Sequence, residues 1–306
     1  MELVIRTRIT FVGEAMLELS ARPDGSWTMG YGGDALNTAI HMARMGCDVA
    51  FASALGNDAL SANLRADWET EGLDCLLLLT DSARSTGLYA ISVNKMGERS
   101  FSYWRSDSAA RQVFALPGSA EMVERAAQSD LLAFSLISLA ILPREGQEAL
   151  LALARRVRDR GGAVAFDGNY RPRLWTSAEE AKSARDSAIA VASIGLPTLE
   201  DEAALSGNNS PEAVAAHWQA LGCDEVVVKL GAEGCRLPNG TMIAPAAKLA
   251  PVDTSGAGDA FNAGYLAARL AGATIADAAR RGHTVAGWTI MRQGALPASD
   301  GHAPYA

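Results

Sequence analysis

Short apolar runs alternate along the chain with longer segments whose apolar positions recur at helical spacing. That pattern predicts an α/β fold with a largely parallel sheet. The runs predict strands near Ile9–Gly13, Asp48–Leu55, Leu131–Ser138, Ala163–Asp167, Ala192–Leu196 and Glu225–Leu230. The helical periods predict helices near Asp34–Met45, Ala59–Glu71, Arg144–Arg160 and Pro211–Leu221, the first closed by Gly46, a residue suited to a left-handed cap. No repeat, charge block or low-complexity linker interrupts the series, so one doubly wound, mostly parallel sheet flanked by helices is expected to form a single domain over residues 1–306. A late Pro-Asn-Gly turn at Pro238–Gly240 predicts an ordinary hairpin.

One stretch breaks the alternation. From Gly87 to Ser106 two strand-like segments flank a polar, glycine-containing loop with no helix between them, and Met16 to Tyr31 is equally poor in helical signal. Together, about 14–31 and 86–108 predict a small β-sheet lid beside the main sheet. Side chains alternate along a strand, so Phe101, Tyr103 and Arg105 should share a face. With a five-residue loop, Asn94 to Glu98, Val93 opposes Arg99 and Tyr89 opposes Tyr103, which places two phenols and a guanidinium on one surface. Trp104, by the same alternation, points away from it. Exposed edges of such a lid are commonly buried against another subunit, so a homo-oligomer joined through the lid is expected.

Composition narrows the partners. With 27 Lys and Arg against 35 Asp and Glu the formal net charge is −8, which offers no general attraction to nucleic acid. No apolar run approaches the ~18 residues that would cross a membrane, and the N-terminal segment reads as a first strand rather than an export signal. The 4 cysteines are scattered without metal-ligand or disulfide spacing, which suits a reducing cytoplasm.

The segment Val252–Leu266, VDTSGAGDAFNAGYL, carries the most chemistry. Its glycine-rich turn runs directly into a helical period, so small residues and the positive end of a helix dipole converge there as an anion cradle. A carboxylate at Asp259 beside a bound phosphate would be repelled unless it served the reaction, and the useful act is to accept a proton from an attacking hydroxyl. A bare GxGD could be a simple helix start. The full DTSGAGDAF string instead closely resembles a signature of the ribokinase-like (PfkB) family of carbohydrate kinases. Roughly 220 residues upstream, Gly32-Gly33-Asp34-Ala35-Leu36-Asn37-Thr38-Ala39 resembles that family's other signature.

The resemblance implies an ATP-dependent transferase with magnesium accompanying the nucleotide. Carried over by position, it implies that Gly33, Asp34 and Asn37 hold substrate hydroxyls while Tyr89, Tyr103 and Arg105 close over the substrate. Arg171 would complete the acid-binding end or reach the transferring phosphate. Asn169, Lys229, Gly231 and Gly234 would approach the nucleotide phosphates, Gly256, Ala257 and Gly258 would form the anion hole, and Asp259 would be the base. Asn262 is a further candidate at the nucleotide site. The strings GGDALNTA, ERSFSYWRSDSAAR and FDGNYRPRLW resemble those of family members acting on 2-keto-3-deoxygluconate, a small sugar acid. A planar guanidinium matches such a carboxylate with paired charge-assisted hydrogen bonds, which makes Arg105 and Arg171 its candidate partners. A family kinase for fructose, ribose or a related keto-sugar is the competing reading. Many family members carry Asn-x-x-Glu at the metal–phosphate network, whereas this chain has Thr198 and Asp201 there, so an acidic metal role is left open between Asp201, Glu202 and neither. A sensor that had lost its base is disfavoured by Asp259, and a dinucleotide oxidoreductase by the single glycine of Val12-Gly13-Glu14-Ala15.

Overall fold

A computed structural model describes residues 7–22, 24–93 and 99–305 of the chain. In order, the first half runs β1 (Arg8–Val12), β2 (Met16–Ala21), β3 (Trp27–Gly32), α1 (Asp34–Arg44), β4 (Asp48–Gly56), α2 (Ala59–Thr70), β5 (Leu78–Asp81), β6 (Gly87–Val93), β7 (Arg99–Trp104) and α3 (Ser119–Ala126). There follow β8 (Leu131–Ser135), α4 (Leu136–Ile141), α5 (Arg144–Asp159), β9 (Ala163–Asp167), α6 (Ala178–Ile189), β10 (Ile194–Gly195), α7 (Leu199–Ser206) and α8 (Pro211–Ala220). The chain ends with β11 (Glu225–Val226), β12 (Val228–Lys229), β13 (Cys235–Arg236), β14 (Met242–Ile243), α9 (Ala257–Leu270) and α10 (Ile275–Ile290).

Seven strands form a parallel sheet in the order β11-β10-β9-β8-β1-β4-β5. Alternation along β1 divides the core between its faces. Ile9 and Phe11 join a cluster with Leu36, Ile40, Trp68 and Tyr265 from α1, α2 and α9. Val12 joins the opposite cluster with Leu150, Val157, Ala188 and Trp218 from α5, α6 and α8. Burying both faces explains why the strands read as unbroken apolar runs. The strand order reverses at β1, and in such sheets ligands bind at the carboxyl ends beside the reversal. There Gly13 touches α1 so closely that a Cβ would lie 2.5 Å from that of Ala35.

Two expected strands end differently. The run Leu131–Ser138 is strand only to Ser135, because Ser135 and Ser138 cap α4 reciprocally: the Ser135 N–H donates to Ser138 Oγ at 3.1 Å and the Ser138 N–H to Ser135 Oγ at 3.2 Å. A short apolar run does not reveal where one period yields to the other. The run Glu225–Leu230 divides into β11 in the main sheet and β12, which pairs antiparallel with β13. The Pro238–Gly240 turn does join a hairpin, β13 to β14.

The lid is a separate four-stranded sheet in the order β3-β2-β6-β7. Its register matches the expected one, Tyr89 opposite Tyr103 and Val93 opposite Arg99, while the connecting loop 94–98 lies outside the described residues. Glu18 faces Gly30 on one side and Tyr89 on the other, so one surface of the lid carries Glu18, Tyr89 and Tyr103. The rings of Tyr89 and Tyr103 stack at 6.0 Å, and Phe101 continues the row at 6.4 Å from Tyr103. Trp104 lies on the far side and is exposed.

Candidate active site

The glycine turn forms as its sequence predicts. Helix α9 begins at Ala257 with Gly256 as its cap, in the left-handed conformation at φ 69°. A Cβ on Gly256 would come within 2.5 Å of the Ala295 Cβ, so the position is closed to any side chain. Asp253 braces the turn, accepting the Ser255 N–H at 3.0 Å and the Gly294 N–H at 2.8 Å. The Ala257 N–H donates to the Thr254 carbonyl at 3.3 Å, and the Gly258 and Asp259 amides that follow have no acceptor within the helix, which leaves those N–H groups and the helix dipole available to an anion. Close packing on α10 fixes the direction of α9: a Cβ on Gly264 would lie 2.8 Å from the Arg281 carbonyl oxygen, and one on Gly282 2.8 Å from Phe261.

Asp259, in the first turn of α9, meets the first turn of α1. Asn37 Nδ2 donates to Asp259 Oδ2 at 2.8 Å, while Asn37 Oδ1 is buried without a partner. Asn169 Nδ2 donates to Asp34 Oδ2 at 2.9 Å. Burial pushes the Asp259 carboxyl up to about 7, helped by the negative charges of Asp34 and Asp167 and opposed by the Asn37 hydrogen bond and Lys229. Thus Asp34, Asn37, Asn169 and Asp259 form one polar group, though Asn169 bonds to the substrate-side Asp34. Gly33 touches backbone as expected, but the group pressing on it is the chain's own: a Cβ there would lie 2.3 Å from the Glu14 carbonyl oxygen.

Beneath this group sits a second one. Lys229 Nζ donates to Asp167 Oδ1 and Asn262 Oδ1, each at 3.1 Å, and Asn262 Nδ2 donates to Asp167 Oδ2 at 2.7 Å. The ammonium lies 3.6 Å from where Gly258 would carry a Cβ, so a buried cation flanks the start of α9. Gly231 and Gly234 fall in the turn from β12 to β13, where a Cβ on Gly234 would lie 2.1 Å from the Ile243 carbonyl oxygen. Gly234 therefore has a packing reason of its own.

A cleft of about 1690 Å³ separates the lid from the body. Gly33, Tyr89, Tyr103, Arg105 and Arg171 line it, as expected, together with Ser255 and residues 293–295. Arg22, Arg105, Arg111, Arg171 and Arg173 face it against two carboxylates, Glu18 and Asp253, so its wall is cationic in an acidic protein. Two of these arginines are already engaged. Arg105 forms an ion pair with buried Glu14, which also accepts the Ser108 hydroxyl. Burial raises the Glu14 carboxyl, opposed by Arg105 and Ser108. Arg171 Nη1 donates to the Tyr170 carbonyl at 2.7 Å and to Asp201 at 3.2 Å.

Glu202 is not available to a metal. It is buried, accepting Arg185 Nη1 at 2.7 Å and the Trp218 indole N–H at 3.0 Å. Asp201 is left, its carboxyl pushed up to about 6 by burial. Among the described residues no group of three His, Cys, Asp or Glu side chains is arranged to hold a metal ion.

The sequence reading passed over Glu14, Glu18, Asp167 and Asp253. Asp167 closes a correctly placed strand at the ligand-binding end of the sheet, which was a usable signal. Asp253 stands inside the quoted DTSGAGDAF string. Glu18 gave itself away only through register, since it sits opposite Tyr89 and accepts the Tyr89 hydroxyl.

A glycine-capped helix start, a buried carboxylate beside it and a cationic cleft under a β lid define a phosphoryl-transfer fold of the sugar-kinase kind. The pfkB family carbohydrate kinase model matches residues 6–300, and the chain belongs to that family. It is 41% identical over 299 residues to 2-dehydro-3-deoxygluconokinase of Escherichia coli (strain K12), covering 94% of this chain and 96% of that one. It is 40% identical over 298 residues to 2-dehydro-3-deoxygluconokinase of Dickeya dadantii (strain 3937), with 94% and 96% covered. The crystal structure of aminoimidazole riboside kinase from Salmonella enterica, complexed with aminoimidazole riboside and an ATP analogue, superposes with a TM-score of 0.80 at 25% identity, covering 94% of this chain and 95% of that one.

Proposed function

We propose that this kinase transfers the terminal phosphoryl group of ATP to the 6-hydroxyl of 2-keto-3-deoxygluconate (2-dehydro-3-deoxygluconate), giving the 6-phospho acid. The observation that carries the proposal is Asp259, a buried carboxyl held by Asn37 in the first turn of a glycine-capped helix, where burial pushes it up to about 7. A general base works best with a pKa near the working pH. Asp259 takes the proton of the substrate hydroxyl while the amides of Ala257 and Gly258 and the Gly256 turn stabilise charge on the transferring group. Lys229 adds a buried positive charge beside them.

Asp34 and Asn37 hold substrate hydroxyls, and Tyr89 and Tyr103 cover the sugar from the lid. Arg105, held by Glu14, and Arg171 take the carboxylate. Asn169 steadies Asp34, and the turn at Gly231 and Gly234 approaches the nucleotide. ATP supplies the phosphoryl group, and Mg2+ enters with its phosphates. The residues fit such a loosely held ion, since Asp167 and Asp201 offer single carboxylates rather than a cage, and Mg2+ commonly keeps waters and phosphate oxygens with one or two carboxylates.

The enzyme works in the cytoplasm and assembles as a homo-oligomer through the outer face of the lid. That face exposes Trp27 and Trp104 at 51% and 61%. Sedimentation tests the assembly, with a shift towards monomer expected when Trp104 becomes Glu.

The decisive experiment is an ADP-release assay across keto-acids and neutral sugars. Turnover should be highest with 2-keto-3-deoxygluconate, and a preference for fructose or ribose would overturn the assignment.

A further inference from the structure

We infer that His41 is a positioning residue for phosphoryl transfer, pinning the carbonyl of Ala295 and thereby the segment that backs the glycine cap of α9, with Tyr305 fixing the direction of that bond. The inference rests on the phosphoryl-transfer reading above. His41 is fully buried in α1 and plays no part in the chemistry just described.

Its two ring nitrogens have different partners. Nε2 lies 3.1 Å from the Ala295 carbonyl oxygen and Nδ1 lies 2.9 Å from the Tyr305 hydroxyl. A carbonyl oxygen only accepts, so Nε2 carries the proton. In the neutral ring Nδ1 is then a lone pair, and the Tyr305 hydroxyl donates to it. The Tyr305 oxygen in turn accepts Arg44 Nη1 at 3.3 Å, and the same Nη1 donates to the Pro297 carbonyl at 2.8 Å. Burial lowers the imidazole pKa to about 4, in keeping with a neutral ring. The bonds run one way, Arg44 to Tyr305 to His41 to Ala295. Tyr305 is itself wedged edge-on against Trp288 at 5.3 Å.

The end of the chain is what matters for catalysis. Ala295 occupies the space beside Gly256 into which no side chain fits, and its neighbour Gly294 donates to Asp253 under the same turn. Residues 293–295 also line the cleft. If Ala295 is released, the wall behind the anion-binding amides is released with it. Misplacement of about 1 Å at a reacting centre can cost roughly 100-fold in rate.

The test compares three variants with the wild type, using the best acceptor from the substrate panel. His41→Leu keeps an apolar filling but cannot donate. His41→Gln can donate to Ala295 and accept from Tyr305. Tyr305→Phe keeps the ring and removes the hydroxyl, and with it both the donor to His41 Nδ1 and the acceptor of Arg44 Nη1. His41→Leu should lower kcat roughly tenfold or more, with KM for the sugar acid within about twofold, and His41→Gln should recover most of the loss. Hydrogen exchange of a peptide spanning 253–259 should quicken in the Leu variant and not in the Gln variant. Tyr305→Phe should lower kcat severalfold without shifting that KM, and it decides the matter should His41→Leu fail to fold. A folded Leu variant with wild-type kcat, an equal loss in the Gln variant, a loss confined to KM, or an unchanged Tyr305→Phe overturns the inference. Absence of any phosphoryl transfer by the wild type would instead overturn the functional reading.

Discussion

Asn37 and Asp259 stand 222 residues apart in sequence and 2.8 Å apart in space, joined by an amide that donates to a carboxylate. This bond favours the charged form of Asp259 while burial and two neighbouring carboxylates oppose it. The balance sets when the carboxylate is free to accept a proton. In the unliganded enzyme kcat/KM should therefore rise with pH through about 7, the point to which the Asp259 carboxyl is pushed. Asn37→Leu removes a stabilising donor and should move that limb to higher pH. A pH profile of the two proteins checks the shift, which should be absent if another group limits the rate.

Replacing Asp259 by Asn should lower kcat by about 10²–10⁴-fold or more, as expected for loss of a general base. The same change should strengthen the fold at alkaline pH. The folded carboxyl titrates near 7, above its ordinary 3.8, so its contribution is fully present at low pH and is lost as pH rises through that window. The melting-temperature gap between variant and wild type should widen from pH 4 to pH 8. A constant gap would contradict the assigned titration.

Arg105→Ala should raise KM for the sugar acid and cut kcat/KM by roughly 10- to 100-fold, since a charge-assisted hydrogen bond contributes about 1.5–3 kcal/mol. Neutral sugars tried as acceptors should show little change. Glu14→Ala should mimic part of this loss, because Arg105 then lacks its buried counter-ion.

Lys229→Met leaves the partly buried Asp167 beside Asn262 with no cation and should destabilise the protein by up to about 3–5 kcal/mol. Adding Asp167→Asn should recover much of the stability but not the turnover. Chemical denaturation and kinetics on the single and double variants separate the two effects.

Where apolar runs were long or bounded by clear punctuation, as in Ala163–Asp167 and the lid register about Tyr89 and Tyr103, the sequence specified the structure because alternation leaves few choices. Helices α3, α6, α7 and α10 were not read from the pattern. The hairpin-like division of the Glu225–Leu230 run depends on β13, a partner that local pattern does not contain. The catalytic turn was legible through its glycines, whose backbone demands are local. Its supports were not: Glu202 finds Arg185 on the neighbouring α6, 17 residues back, and Glu14 finds Arg105 and His41 finds Tyr305 only after the chain has folded back across many tens of residues.

Three of the four routes between body and lid pass close to one residue's carboxylate, and the fourth, at Gly33, presses on the same residue's backbone carbonyl. β2 starts two residues after Glu14, a Cβ on the first residue of β6 would lie 2.9 Å from Glu14 Oε1, and Arg105, just past β7, is ion-paired to it. That makes Glu14 a pivot. Were the small sheet to rotate about that point, Arg105 would stay almost stationary, whereas Phe101, four residues farther out at ~3.3 Å each, would sweep on a radius of about 13 Å. The guanidinium end of the cleft would then be the fixed anchor and the aromatic row the part that travels.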